Sequence, residues 1–201
     1  MSSHHYEVAL FGEFFSRDLK PIMNRITLHS ESSEPMHTRE IVFEPLDALY
    51  QRDTGNEPIL LRAKKELGEP DSPWVLYSYL KPESVRVHPE ATVRPWATVQ
   101  VLGDALSFAG ALGYARKSQL YKRGFVFRRG VLAIQMFQQE QVDPKTQEPI
   151  SAHADTLWEV EVKTASPIRN TQEKPLSHYI DAVVEVQVLM KGLLDLRRQD
   201  L

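Results

Sequence analysis

The 201-residue chain has no cysteine. That absence removes disulfides, thiolate metal sites and thiol nucleophiles together, and it suits a reducing compartment. There is also no apolar run approaching the roughly 20 residues that a membrane-crossing helix needs. The N-terminus lacks the basic start and apolar stretch of a secretory signal, so a soluble intracellular protein without a membrane partner is expected. A formal net charge of -3 leaves no basic footprint for direct nucleic-acid binding. The seven histidines lie scattered, with no helical His-x-x-x-His pair. Neither a Gly-x-Ser-x-Gly elbow nor a glycine-rich phosphate loop occurs. No catalytic set, metal or cofactor is expected. The length allows a proper core, and without a repeat or low-complexity tract a single domain over 1–201 is expected.

What is present is clearest between Asp104 and Gln141. Asp104 is a ready N-cap, Leu106, Ala109 and Leu112 follow at helical spacing, and Gly113 ends the helix. From Leu120 the period becomes two. A two-residue turn at Arg129-Gly130 would pair Phe127 with Leu132, Phe125 with Ile134 and Arg123 with Met136 on a core face. The other face, with Lys122, Gly124, Val126 and Arg128, is mixed and suits solvent, a polar barrel interior or a partner.

Elsewhere, Tyr6, Val8 and Leu10 define a strand that Gly12 closes, and Leu19, Ile22, Met23 and Ile26 form the stripe of a helix capped by Ser16 or Asp18. Ser30 to Pro35 reads as a polar break before a strand at Arg39 to Pro45. Gln51 to Glu57 reads as a surface loop, Ile59 to Glu66 as a strand, and Gly68 to Pro73 as a reversal. Trp74 to Leu80 is a strand covered on both faces. Ala91 to Leu102 is extended, but Pro95 marks it as an edge or bulged strand, open to strand addition. Gln138 to Asp155 reads as a mobile loop, and Ala165 to Pro175 as a linker. The tail from Leu176 to Arg198 fits a helix through Ile180, Val183, Gln187, Met190 and Leu194, ending on two arginines. These elements add up to a β-dominated α+β fold, an antiparallel sheet of hairpin-connected strands curled on itself with flanking helices.

The segments Pro58-Ile59-Leu60-Leu61-Arg62-Ala63-Lys64, Pro73-Trp74-Val75-Leu76, Leu112-Gly113-Tyr114, Arg123 to Gly130 (RGFVFRRG) and Leu157 to Val162 (LWEVEV) carry a resemblance. In order and approximate spacing, the chain from about Tyr6 to its tail resembles the Mediator subunit 18 family. The resemblance implies an antiparallel β-barrel similar to the tunnel-type triphosphatases, and a non-enzymatic, nuclear role in the head module of a coactivator. It further implies a heterodimer with Mediator subunit 20, attachment through the C-terminal helix of subunit 8, contact with other head-module subunits, and a direct or indirect link to RNA polymerase II. The loops depart from the family, notably at Gln138 to Asp155.

Glu159-Val160-Glu161-Val162-Lys163 has the Glu-x-Glu-x-Lys form of the tunnel enzymes. Alternation puts two carboxylates and an ammonium on one face, about 7 Å from each to the next, which suits a divalent cation beside a phosphate. With Arg62, Lys64, Lys122 and Arg128 on other strands, a metal-dependent polyphosphatase is the alternative reading. A solvated or salt-bridged strand face reads the same way, and is the expectation here. The aromatics favour a binding module, because Trp and Tyr anchor interfaces. Trp74, Tyr77, Tyr79, Arg94 and Trp96 are the candidate partner contacts.

Overall fold

In the computed structural model, residues 4–47, 58–69 and 71–200 are described. The expected loop at Gln51 to Glu57 lies outside them. Strand β1 (His5–Phe14) buries Tyr6, Val8, Leu10 and Phe14 on one face and turns Glu7, Ala9 and Phe11 to the other. β2 (Ser32–Pro45), β3 (Leu61–Glu66), β4 (Trp74–Tyr79), β5 (Thr92–Val101), β6 (Tyr114–Arg129), β7 (Leu132–Val142) and β9 (Trp158–Thr164) join β1 in an antiparallel ring. The order is β1-β5-β4-β3-β2-β6-β7-β9, and β9 pairs back onto β1, closing an eight-stranded barrel. Two short strands, β8 (Pro149–Ile150) and β10 (Ile168–Arg169), attach to β7 and β1.

The apolar side of the sheet is its outside. Helix α1 (Leu19–Leu28) buries Ile22 and Ile26, and α3 (Leu176–Met190) buries Leu176, Tyr179, Ile180, Val183, Val186 and Met190, against the outer faces of β1, β6, β7 and β9. Helix α2 (Ala105–Ala111) lays Ala105 and Ala109 over Ile41, Phe43, Ala63 and Leu76. Asp104 caps α2 as expected, its carboxylate accepting from the backbone N-H groups of Leu106 and Ser107 at 3.0 and 3.2 Å. At α1 Asp18 takes the cap position without a capping hydrogen bond. The barrel is thus polar inside and greasy outside, the reverse of a small barrel filled with hydrophobic side chains.

Several expectations are corrected. Gly12 does not end β1: its missing Cβ, which would meet the Asp195 carbonyl at 2.9 Å, lets the C-terminal segment approach. The break at Ser30 to Pro35 is partly strand, because Ser32 to Pro35 pair with Phe125 to Arg128 of β6. The hairpin turns on Gly130-Val131, so Phe127 faces Ile134 and Phe125 faces Met136. This slip of two keeps every side chain on its expected face. β5 is not an edge strand: Thr92 to Pro95 pair with β1 and Trp96 to Val101 pair with β4. Pro95 sits where the strand passes from one partner to the other, so its absent N-H costs no ladder bond at the handover, and its carbonyl accepts from Leu80 N at 3.0 Å. Gln138 to Val142 complete β7, and the loop beyond is tied by β8 and by Asp143, which accepts from Lys145 N and Thr146 N. The span from Ala165 to Pro175 contains β10.

The tail is the largest correction. α3 stops at Met190, and Gly192 with φ +85° turns the chain back. Leu194 and Leu196 enter the outer core, and Arg197 exchanges two backbone hydrogen bonds with Phe11, at 2.7 and 2.8 Å. Arg198 does not answer a helix dipole. Its guanidinium donates to the carbonyls of Glu83, His88 and Ala91, while Thr92 Oγ1 and the Gln199 backbone exchange hydrogen bonds. The tail thereby fills the wall next to the start of β5.

Candidate functional site

The inward side chains line a tunnel of about 1630 Å³. Its wall is crossed by one chain of alternating charge. Glu161 on β9 accepts from Lys122 Nζ on β6 at 3.0 Å and from Lys163, two residues along its own strand. Lys122 Nζ also lies 3.3 Å from Glu40 Oε2 on β2, and Glu40 Oε1 accepts from Arg62 on β3 at 3.0 Å. Four strands are thus laced together from within.

A second knot lies beside it. Glu7, wholly buried, accepts from Arg94 Nε and Nη2 at 3.0 and 2.7 Å and from the Tyr79 hydroxyl at 2.8 Å. The Arg94 guanidinium stacks 3.4 Å from the centre of the Tyr79 ring.

These contacts set the protonation states. Burial pushes the Glu161 carboxyl up, but Lys122 and Lys163 outweigh it and hold the group far below the usual carboxylate range. Glu40 is likewise held low by Lys122 and Arg62 against burial. Burial lowers the lysine pKa values, yet Glu161 overcomes it and raises both Lys122 and Lys163. Burial and then the neighbouring carboxylates Glu40 and Glu7 drive the Tyr77 and Tyr79 hydroxyls well above their ordinary range. Glu159, which accepts from Gln139 at 2.6 Å, is raised mainly by burial. Lys64 differs from the other lysines. Burial, then Lys163, lower it to about 8, and its ammonium rests 5.4 Å from the Tyr77 ring with no carboxylate in ion-pair contact among the described residues.

Alternation in β9 therefore reads correctly, with Trp158, Val160 and Val162 on one face and Glu159, Glu161 and Lys163 on the other. The acidic face is not turned to bulk solvent; it is the salt-bridged inner wall. No cluster of three or more His, Asp or Glu positioned for a metal ion occurs among the described residues. Of the five candidate partner contacts, Tyr77, Tyr79 and Arg94 turn into the tunnel. Trp74 is half-buried against the α2 cluster beneath the Arg39 guanidinium, and Trp96 is half-buried against Tyr79 at 6.2 Å, its indole N-H without an acceptor. Sequence reasoning missed Glu7 and Glu40, whose signal was a charge at an alternating position in an otherwise apolar strand.

A closed eight-stranded antiparallel ring around a charged tunnel, wrapped by helices, defines a tunnel-barrel protein. Its fold matches a chain of the Schizosaccharomyces pombe Mediator head module with TM-score 0.78 and 15% identity, over 98% of this chain and 100% of that one. It also matches the Mimivirus capping enzyme triphosphatase with TM-score 0.54 and 10% identity, over 96% and 91%. In sequence the chain is similar to Mediator of RNA polymerase II transcription subunit 18 of Danio rerio, with 27% identity over 130 residues, 64% of this chain and 60% of that relative. The matched stretch therefore spans less than two thirds of the relative's length. No family model matches.

Proposed function

We propose that this chain is a non-enzymatic structural subunit of the Mediator head module, acting in the nucleus to help link regulators to RNA polymerase II. The observation that carries the reading is the fold likeness over the full length of a Mediator head chain, joined to the sequence likeness to subunit 18. The engagement of Glu161 by both Lys122 and Lys163 supports it. A metal-dependent triphosphatase using Glu159, Glu161 and Lys163 is the second reading, favoured by the likeness to the Mimivirus enzyme. To bind a cation at Glu161, that enzyme would first have to displace two ammonium groups.

On this proposal the partners are Mediator subunit 20, the C-terminal helix of subunit 8 and other head-module subunits. The partner-facing wall is β4 and β5, marked by Trp74 on the outer face, by Trp96 beside Tyr79 on the other, and by the exposed run Ala97 to Gln100. Tyr77, Tyr79 and Arg94 brace that wall from inside. The test is affinity purification of the tagged chain from nuclear extract with mass spectrometry. Recovery of head-module subunits is expected, lost on combined Trp74→Asp and Trp96→Asp substitution. Purification without any Mediator subunit, together with manganese-dependent phosphate release from a nucleoside triphosphate, would give the case to the second reading.

A further inference from the structure

A concavity of about 450 Å³ opens on the outer face of β2, β6 and β7, on the far side of the ring from β4 and β5. β6 places Arg123 and Phe125 there two residues apart, and β9 adds Trp158, whose ring stacks on Phe125 at 6.4 Å and on Phe14 at 6.1 Å. The hydrogen-bonding capacity left beside this apolar wall is one-sided. Glu140, its side chain 2% exposed, is engaged by Arg123 Nε at 2.7 Å and lies 3.0 Å from His37 Nε2. Glu66 accepts from the His37 backbone N-H at 2.8 Å and the Thr38 hydroxyl at 3.0 Å, and closes its own turn through Leu67 N and Gly68 N. Both acids are occupied. Arg123 is not: Nη2 only brushes His37 Nε2 at 3.4 Å, Nη1 has no acceptor among the described residues, and the side chain is 57% exposed. With Glu140 gripping Nε, the rest of the guanidinium is held as a fork that matches a carboxylate through two parallel hydrogen bonds.

We propose that this pocket seats a segment of a neighbouring protein in which a large apolar side chain stands next to an Asp or Glu. The apolar group lies on Phe125 and Trp158, and the carboxylate takes the free donors of Arg123. This inference rests on the scaffold reading and deepens it, because the barrel is then gripped on two opposite walls. A protein segment fits better than a free small acid, since the apolar surface continues past the pocket. Leu67, between the lining residues Glu66 and Gly68, and Ile150, next to lining Ser151, are 38% and 47% exposed, and a one-ring ligand leaves both uncovered. A basic segment fits worse, because no carboxylate in the pocket is left to receive it.

The experiment is fluorine NMR of the full chain labelled with 5-fluorotryptophan, its three tryptophan signals assigned by single Trp→Phe substitutions. The probes are the capped peptide Ala-Leu-Phe-Asp-Leu-Ala, the same peptide with Asn or Lys in place of Asp, and free 3-phenylpropionate. The acidic peptide is expected to shift the Trp158 signal and to leave those of Trp74 and Trp96 in place. The Asn peptide is expected to bind about tenfold or more weakly, the loss of a charge-assisted hydrogen bond. Arg123→Gln is expected to cost the acidic peptide a similar factor and the Asn peptide little, the coupling of a direct pair. Exchanging Asp for Asn leaves the protein untouched, so a poorly folded Arg123→Gln does not blunt the test. The proposal is overturned by an unmoved Trp158 signal, by the Asn or Lys peptide binding as tightly as the acidic one, or by 3-phenylpropionate matching the peptide, which would make this a small-molecule pocket. Co-purification of head-module subunits is scored separately, so failure here leaves the scaffold reading standing.

Discussion

Glu161 Oε1 accepts from Lys122 Nζ at 3.0 Å, reaching across the whole of β7 from β9 to β6. Replacing Glu161 by Gln leaves two buried ammonium groups without their shared carboxylate. The expected cost is about 3–5 kcal/mol, read by urea denaturation. An enzyme that used Glu161 for metal binding would instead lose activity with little loss of stability.

The same pair sets the acid limb of stability. Glu161 and Glu40 titrate below their unfolded values, so their contribution is complete above about pH 4.5. It drains away as pH falls toward their folded values. Melting temperature measured from pH 6 to 2 should fall through this window, and the fall should be shallower in Glu161→Gln.

Lys64 acts in the opposite limb. Its folded value near 8 lies below the unfolded one, so the folded state carries a charge penalty at neutral pH that is relieved as pH rises from about 8 to 10.5. The groups facing it are Glu40 on β2, Tyr77 on β4, Lys163 and Glu161 on β9 and Glu7 on β1. Lys64→Met should therefore raise the melting temperature at pH 7 by a few degrees and flatten the alkaline rise. A destabilised Lys64→Met variant would contradict this.

Gly124 is fixed by space. A Cβ there would lie 2.0 Å from the Met136 carbonyl and 2.7 Å from Phe137 Cα, both backbone atoms of the paired strand. Gly124→Ala should cost at least about 1–3 kcal/mol by chemical denaturation, since neither atom can rotate away.

Arg198 ties three carbonyls of the segment before β5 to the tail. Arg198→Ala should remove on the order of 1.5–3 kcal/mol and raise amide exchange around Ala91 and Thr92, measured by hydrogen-exchange mass spectrometry.

Alternation made the strand faces legible, and a period of two is forgiving: the hairpin register slipped from Leu132 to Ile134 opposite Phe127 without moving a side chain to the wrong side. Which face was inside was not legible. Glu159, Glu161 and Lys163 read alike on a wet outer face and in a charged tunnel, and only ring closure between β9 and β1 decides it. Pro95 misled because the proline rule presumes one partner along a strand, and β5 has two in succession. The tail misled because its apolar spacing continues past Gly192, whose positive φ breaks the helix. Ser32 to Pro35 have little strand propensity of their own and are recruited by pairing with β6.

The closing seam also imposes an order on biogenesis. Ala9 to Phe14 pair with Trp158 to Lys163, and Phe11 with Arg197, so β1 waits on segments that are synthesised well over a hundred residues after it. At cellular elongation rates that delay is on the order of ten seconds, during which an apolar edge stands bare. Nascent chains of this protein should therefore depend on chaperone holding, and premature stop codons ahead of β9, which leave the edge of β1 without its partner, should yield aggregates.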